Sequence, residues 1–173
     1  MSSNDKIYKM ILLGESGVGK TSILKKFETG EYDPHIYCSQ VTNFIRKDIK
    51  LPDNNSRILD IWDTPGQEKY RSIIKIFYKG ANAFVLVYDP TNEPSFNELR
   101  IFWYNEVKHI NSVIFVVANK CDSDEKVVKD EEGKEFAESI GAIFVSVSAK
   151  DNIGISNLFE QIAQNIHNKN WDF

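Results

Sequence analysis

Two spacings of apolar residues alternate along the chain. Residues 7–13, 83–88, 113–118 and 142–147 are short and mostly apolar, the pattern of strands buried on both faces of a parallel sheet. Between them, apolar positions recur every three or four residues, as on one face of a helix. Ile23, Leu24 and Phe27 form the first such stripe. Phe96, Leu99, Trp103, Val107 and Ile110 form another, behind Pro94, which suits the first turn of a helix. Ile155, Leu158, Phe159, Ile162 and Ile166 form the last. Further helices are expected over about 131–139, closed by Gly141, and in the segment that ends near Lys79. Residues 41–51 and 57–62 read as extended. The turn residues Pro52-Asp53-Asn54-Asn55-Ser56 join them, so the pair is an antiparallel hairpin. Residues 28–40 have little periodicity, and a loop of that length in a compact domain is often functional. The pattern predicts an α/β fold. A six-stranded, mostly parallel sheet with one antiparallel edge strand is flanked by about five helices. Residues 1–173 form a single domain.

In such sheets ligands bind outside the carboxyl ends of the strands, and the chemistry-bearing residues follow the strands. After the first comes Gly14-Glu15-Ser16-Gly17-Val18-Gly19-Lys20-Thr21, the pattern G-x-x-x-x-G-K-T of a phosphate-binding loop. Its backbone N–H groups and the helix N-terminus converge on an anion. Lys20 adds a charge for the β- and γ-phosphates, and the Thr21 hydroxyl suits Mg²⁺. Gly14, Ser16, Gly17, Val18, Gly19, Lys20, Thr21 and the adjacent Ser22 are therefore candidate nucleotide contacts. The alternative is an ordinary glycine-rich turn.

Asp63 ends the return strand of the hairpin, where a carboxylate can hold Mg²⁺ against Thr21. Gly66 lacks a side chain, so its N–H can approach a terminal phosphate. Gln67 both donates and accepts, which suits orienting a water. Gln67, Lys20 and Gly66 are the catalytic candidates; the competing reading is a polar turn that caps the next helix. Asn119-Lys120-Cys121-Asp122 follows another strand. A carboxylate accepts two hydrogen bonds from the N1–H and N2 amino group of guanine, a pair adenine lacks, so Asp122 favours guanine. Asn119 can serve the opposite edge of the base, and the Lys120 stem can lie along its plane. A solvated loop is the bland alternative here. Tyr32 can stack edgewise on a base. His35, His109 and His167 show no metal-ligand spacing and read as surface or boundary residues. Lys69, Arg71, Lys75 and Lys79 read as one solvated helix face or a partner surface.

Composition narrows the functional classes. The net charge of −4 gives no reason to expect nucleic acid. Cys38 and Cys121, the only cysteines, have no metal or redox spacing and suit a reducing, cytoplasmic setting. The N-terminus has no secretory apolar region and no second-position glycine for myristoylation.

With Ser148-Ala149-Lys150 added, the ordered set from Lys6 to Ile166 resembles a Ras-superfamily small GTPase of the P-loop NTPase class. The Rab branch is the most similar, through Asp60-Ile61-Trp62-Asp63-Thr64, Glu68-Lys69-Tyr70-Arg71-Ser72-Ile73 and Tyr88-Asp89-Pro90-Thr91-Asn92-Glu93-Pro94-Ser95-Phe96. The resemblance implies a GTP/GDP switch in vesicle and membrane traffic, with Mg²⁺. It adds Ser148, Ala149 and Lys150 to the base site. Unaided turnover would be slow, with an activating protein supplying an arginine. Residues about 32–42 and 64–78 would be the switches. They would meet effectors, exchange factors and activating proteins through an aromatic triad matched by Phe44, Trp62 and Phe77. A guanine-nucleotide scaffold with little hydrolysis is the alternative, and an ATP-dependent phosphotransferase is opposed by Asp122. The family's tail and prenylated cysteines do not appear before Phe173. Peripheral attachment to the cytosolic face of membranes is therefore expected only if a lipidated tail follows. Pro65 replaces the family's alanine; it removes its own N–H but leaves that of Gly66.

Ser39 stands where the family places a threonine that senses Mg²⁺ in the first switch; Thr42 would need a three-residue shift. Serine keeps the hydroxyl but loses the β-branch that restricts χ1, so the GTP-bound switch is expected to close less firmly. A Ser39→Thr variant should bind GTP-form partners more tightly. Titration of such a partner checks this, and unchanged affinity would count against it.

Overall fold

Among the residues described by the computed structural model, 6–36, 41–169 and 171, six strands form one sheet. They are β1 (Ile7–Leu13), β2 (Asn43–Lys50), β3 (Ser56–Asp63), β4 (Ala83–Tyr88), β5 (Val113–Ala118) and β6 (Ile143–Ser146). Their order is β2-β3-β1-β4-β5-β6. All neighbours are parallel except the edge pair, in which β2 runs antiparallel to β3 from Asn43 opposite Asp63 to Lys50 opposite Ser56. β1 lies inside the sheet, with Met10 opposite both Ile61 and Ala83. The predicted mixed sheet with an antiparallel edge is therefore present.

Side chains of β1 alternate between two cores. Met10 and Leu12 point to a core with Ile23, Phe115 and Phe159, whereas Ile11 and Leu13 point to one with Leu86, Trp103 and Val116. Both faces are dry, so the strands need no polar alternation. The first core is covered by α1 (Lys20–Thr29) and α5 (Ile155–Asn168). The second is covered by α3 (93–107) and α4 (Asp130–Ser139). Asn92 caps α3, its side chain accepting from Ser95 N at 3.1 Å, and Pro94 lies in its first turn as predicted.

Two elements differ from the simple periodic reading. The helix expected to end near Lys79 is α2 (68–77), a single α-helical turn, Arg71–Ile74, between the 3-10 turns Glu68–Tyr70 and Lys75–Phe77. Ile74 is buried there, whereas Ile73 and Ile76 are exposed, so no continuous apolar stripe holds a longer helix down. In α3, residues Leu99–Trp103 widen into a π-helical turn. Hydrophobic spacing alone does not report this, since the buried Leu99, Trp103 and Val107 still line one face.

Phe159 fastens α5 to α1, the helix that carries the glycine-rich loop. It is fully buried and stacks on Phe27 with ring centroids 3.9 Å apart. Phe159→Ala should lower stability by about 3–5 kcal/mol through lost contacts and a residual cavity. The measurement is urea unfolding, with the shift appearing in the midpoint rather than in the slope.

Candidate functional site

The loop from Gly14 to Gly19 joins β1 to α1, and its last glycine is in close quarters. Gly19 has φ +98°, and a Cβ there would lie 2.1 Å from Asn119 Nδ2. Only glycine fits both the left-handed backbone and that neighbour. Asn119, at the end of β5, is 2% exposed. Its Nδ2 donates to Val18 O at 2.9 Å, and its Oδ1 accepts from Ala149 N at 3.2 Å. One carboxamide therefore joins three segments far apart in sequence.

The charged groups are arranged around this junction. Lys20 is 5% exposed, and its Nζ donates to the carbonyls of Gly14 at 2.7 Å and Glu15 at 2.9 Å. Thr21 Oγ1 donates to Asp63 Oδ2 at 2.7 Å. A hydroxyl and a carboxylate in contact are hard oxygen donors, and they fit Mg²⁺. The Thr64 hydroxyl donates to Leu12 O at 2.7 Å and pins the segment after β3 to the end of β1. Beyond it, Gly66 packs on the loop so closely that a Cβ would lie 2.5 Å from Ser16 N.

Asp122 is oriented by its neighbours. Its Oδ1 accepts from the Ser148 hydroxyl at 2.7 Å, and its Oδ2 lies 3.9 Å from Lys150 Nζ. Lys120 adopts φ +62°. Its ammonium donates to Gly17 O at 3.1 Å and pairs with Asp89. A cavity of about 360 Å³ opens between the segments, lined by Gly17, Gly19 and Ser22, by Asn119, Lys120, Asp122, Ala149 and Lys150, and by Tyr32. Its size and polar lining suit a base and sugar, with phosphates on the loop beside it. Burial pushes the Cys121 thiol up from its ordinary value, with Lys126 partly offsetting the rise, so it is a poor nucleophile.

Of the predicted residues, the structure brings Gly17, Gly19, Ser22, Tyr32, Asn119, Lys120, Asp122, Ala149 and Lys150 to one cavity. Val18 contributes its carbonyl, its side chain being buried in the core, and Ser16 is exposed on the loop. Gln67 immediately precedes α2, with extended backbone, φ −73° and ψ 138°. Ser39 lies outside the described residues. The aromatic triad is contiguous: Trp62 stacks on Phe44 with ring centroids 5.0 Å apart and meets Phe77 at 5.2 Å with the rings tilted by 36°. Lys9 Nζ sits 4.9 Å from the centre of the Trp62 ring. Burial lowers the pKa of Lys9, with Asp60 partly offsetting the effect.

One expectation is corrected. Lys69, Arg71, Lys75 and Lys79 do not form a single solvated face, because Arg71 turns inward. Its side chain is 16% exposed and bonds Glu15 at 2.6 Å and Glu98 at 2.9 Å. Periodicity could not signal this, since both acids are distant in sequence and Glu15 occupies a variable position of the loop pattern.

A sequence model of the Ras family matches residues 9–168. The chain belongs to the Ras family. It is similar to the Ras-related protein Rab-3A of Homo sapiens and of Macaca fascicularis. Each is 39% identical over 169 residues, covering 95% of this chain and 76% of the relative. The Ras-related protein Rab-3B of Bos taurus is 37% identical over the same length. The protein is a small GTPase of Rab type, a switch that binds GTP and hydrolyses it to GDP and phosphate. Among the described residues, no helix is long and apolar enough to cross a membrane.

For this small GTPase, Asp122→Ala should weaken GDP binding roughly 10- to 100-fold, as expected for loss of a charge-assisted hydrogen bond. It should also reduce the preference for GTP over ATP. Competition against a fluorescent guanine nucleotide reads both effects, and unchanged preference would contradict the base assignment.

Proposed function

We propose that the base of GTP or GDP occupies the cavity beside Asn119 and Asp122, with its phosphates on the loop from Gly14 to Thr21. The observation that carries this reading is the Asn119 carboxamide, which bonds the phosphate loop and the Ser148–Lys150 segment at once. In this reading Asp122 accepts from the guanine N1–H and amino group, Asn119 and Ala149 border the opposite edge, and Lys120 and Tyr32 flank the ring. Ser16, Gly17, Val18, Gly19, Lys20, Thr21 and Ser22 surround the phosphates. Thr21 and Asp63, joined by Ser39, would hold Mg²⁺, which when bound neutralises charge on the β- and γ-phosphates.

Hydrolysis in this reading is in-line attack of water on the γ-phosphorus. Gln67 accepts from the attacking water and orients it, the Gly66 N–H faces the γ-phosphate, and Lys20 stabilises charge on the phosphoryl oxygens. Among the described residues, Arg71 is committed to Glu15 and Glu98. Rapid turnover therefore awaits an arginine from an activating protein, worth roughly 10³–10⁵ in rate. The contiguous aromatic surface of Phe44, Trp62 and Phe77 is the proposed contact for effectors, exchange factors and activating proteins. We place the protein in vesicle traffic, in the cytoplasm and peripherally on the cytosolic face of membranes.

The test is single-turnover hydrolysis of preloaded GTP, with and without candidate activators. Gln67→Ala should slow the unaided reaction about tenfold, the scale of one well-placed hydrogen bond, and should blunt activation. An unaltered rate would remove Gln67 from the reaction. Absence of hydrolysis in the unsubstituted protein, even with activators, would favour a scaffold. A pull-down comparing GDP with a GTP analogue should recover partners selective for the GTP form.

A further inference from the structure

The segment that carries Gln67 is attached at both ends to one residue of the phosphate loop, Glu15. At its start, Gly66 packs on the backbone of Glu15; a Cβ would lie 2.5 Å from the Glu15 carbonyl carbon and 2.6 Å from its oxygen. At its end, Arg71 Nη2 returns to Glu15 Oε1 at 2.6 Å. Between them the chain folds tightly, with Tyr70 N donating to Gln67 O at 3.0 Å.

Glu15 is itself fixed from a third direction, because Trp103 Nε1 donates to the same oxygen at 2.8 Å. Trp103 is fully buried and belongs to the π-helical turn of α3, a device found frequently at functional sites. α3 also holds the arginine. Glu98 accepts from Arg71 at 2.9 Å, and the guanidinium carbon lies 4.0 Å from the centre of the Phe102 ring. The pair is mostly shielded, with side-chain exposures of 16% for Arg71 and 25% for Glu15. It is thus unlike the screened surface pairs that contribute little. Removing the arginine would leave the Glu15 and Glu98 carboxylates without the cation they share.

We infer that Arg71 and Glu15 are positioning residues for hydrolysis, acting through Gln67. The inference rests on the reading of Gln67 given above. A water-orienting side chain contributes only while it stays near its productive geometry, and a displacement on the order of 1 Å can cost about 100-fold. Stapling the segment at Gly66 and Arg71 limits the excursions of Gln67 before GTP reacts. The guanidinium suits this task, since its Nη2 reaches both carboxylates while its carbon lies over the Phe102 ring; an ammonium can replace the charge but not the flat contact with that ring. Arg71 has no contact with substrate in this scheme, and its effect should vanish when Gln67 is absent.

A double-mutant cycle tests this dependence. Single-turnover hydrolysis is measured on protein already loaded with GTP, so nucleotide affinity does not enter. Arg71→Ala should slow the reaction about three- to tenfold, and Arg71→Lys should recover part of the loss. Arg71→Ala added to Gln67→Ala should be no slower than Gln67→Ala alone. Arg71→Ala within about twofold of the unsubstituted rate, or the same fractional loss in both backgrounds, would overturn the inference and leave Gln67 in place. If Gln67→Ala itself leaves the rate unchanged, the Gln67 reading and this inference fall together. Should Arg71→Ala fail to fold, Glu15→Gln replaces it in the cycle. It keeps the shape and an acceptor for Trp103 but loses the ion pair, and the same lack of additivity is required.

Discussion

The site depends on one buried amide. Asn119 sits at the end of an inner strand, where its backbone N–H donates to Tyr88 O at 3.0 Å. Its side chain then spends both functional atoms on other segments, Val18 and Ala149. A buried carboxamide with one end unmade would cost the desolvation of that group, about 1–3 kcal/mol. The three segments therefore have a strong reason to remain in register, and Gly19 is the residue that permits it, because any side chain would occupy the position of the amide. The cavity beside Asn119 and the glycine-rich loop therefore share a wall.

The parallel sheet sets this junction. β1, β4 and β5 run side by side in one direction, so the loops after them open at the same end, with the segment after β6 beside them. Those positions were legible in the chain because short apolar runs bounded by glycine or polar residues admit few alternatives. The same holds for Gly14–Thr21, Asp63–Gln67 and Asn119–Asp122, whose chemistry is readable from residue type and spacing. Their mutual contacts were legible only as a consequence of topology. No local pattern marks the bond from Asn119 to Val18, since its acceptor is a backbone carbonyl 101 residues away, which any residue would supply.

Side-chain commitments across long sequence distances were the least legible. Arg71 belongs to a run of cations that reads as solvated, yet it is drawn inward by Glu15 and Glu98 and by the face of Phe102. The run fails as a pattern because α2 is broken into 3-10 and α-helical turns. Residues spaced for one face of an α-helix then no longer share it. The π-helical turn of α3 was invisible for a related reason: the buried residues keep their place on one face while the hydrogen-bond pattern beneath them changes.

The two halves of the site consequently differ in kind. The side around Asn119 is held by a neutral, buried carboxamide whose loss would strand polar atoms, with the Lys120–Asp89 pair and the Ser148 bond to Asp122 beside it. The γ-phosphate side is held by ions and close backbone contact: Lys20 on loop carbonyls, Thr21 on Asp63, and Arg71 on Glu15. Such groups can exchange one charged partner for another at comparable energy, which is what a segment responding to a phosphate requires. A ligand can bias such an arrangement only by the difference in its contacts with the two states. Glu15 lies where the loop that cradles phosphates meets the segment bearing Gln67, and its side chain is bonded to α3 as well. Any movement of that segment away from the loop must break the Arg71–Glu15 pair, and must also break the Arg71–Glu98 pair or carry α3 with it. The two carboxylates therefore hold the segment from separate elements, and a ligand that moves it must supply contacts to replace both.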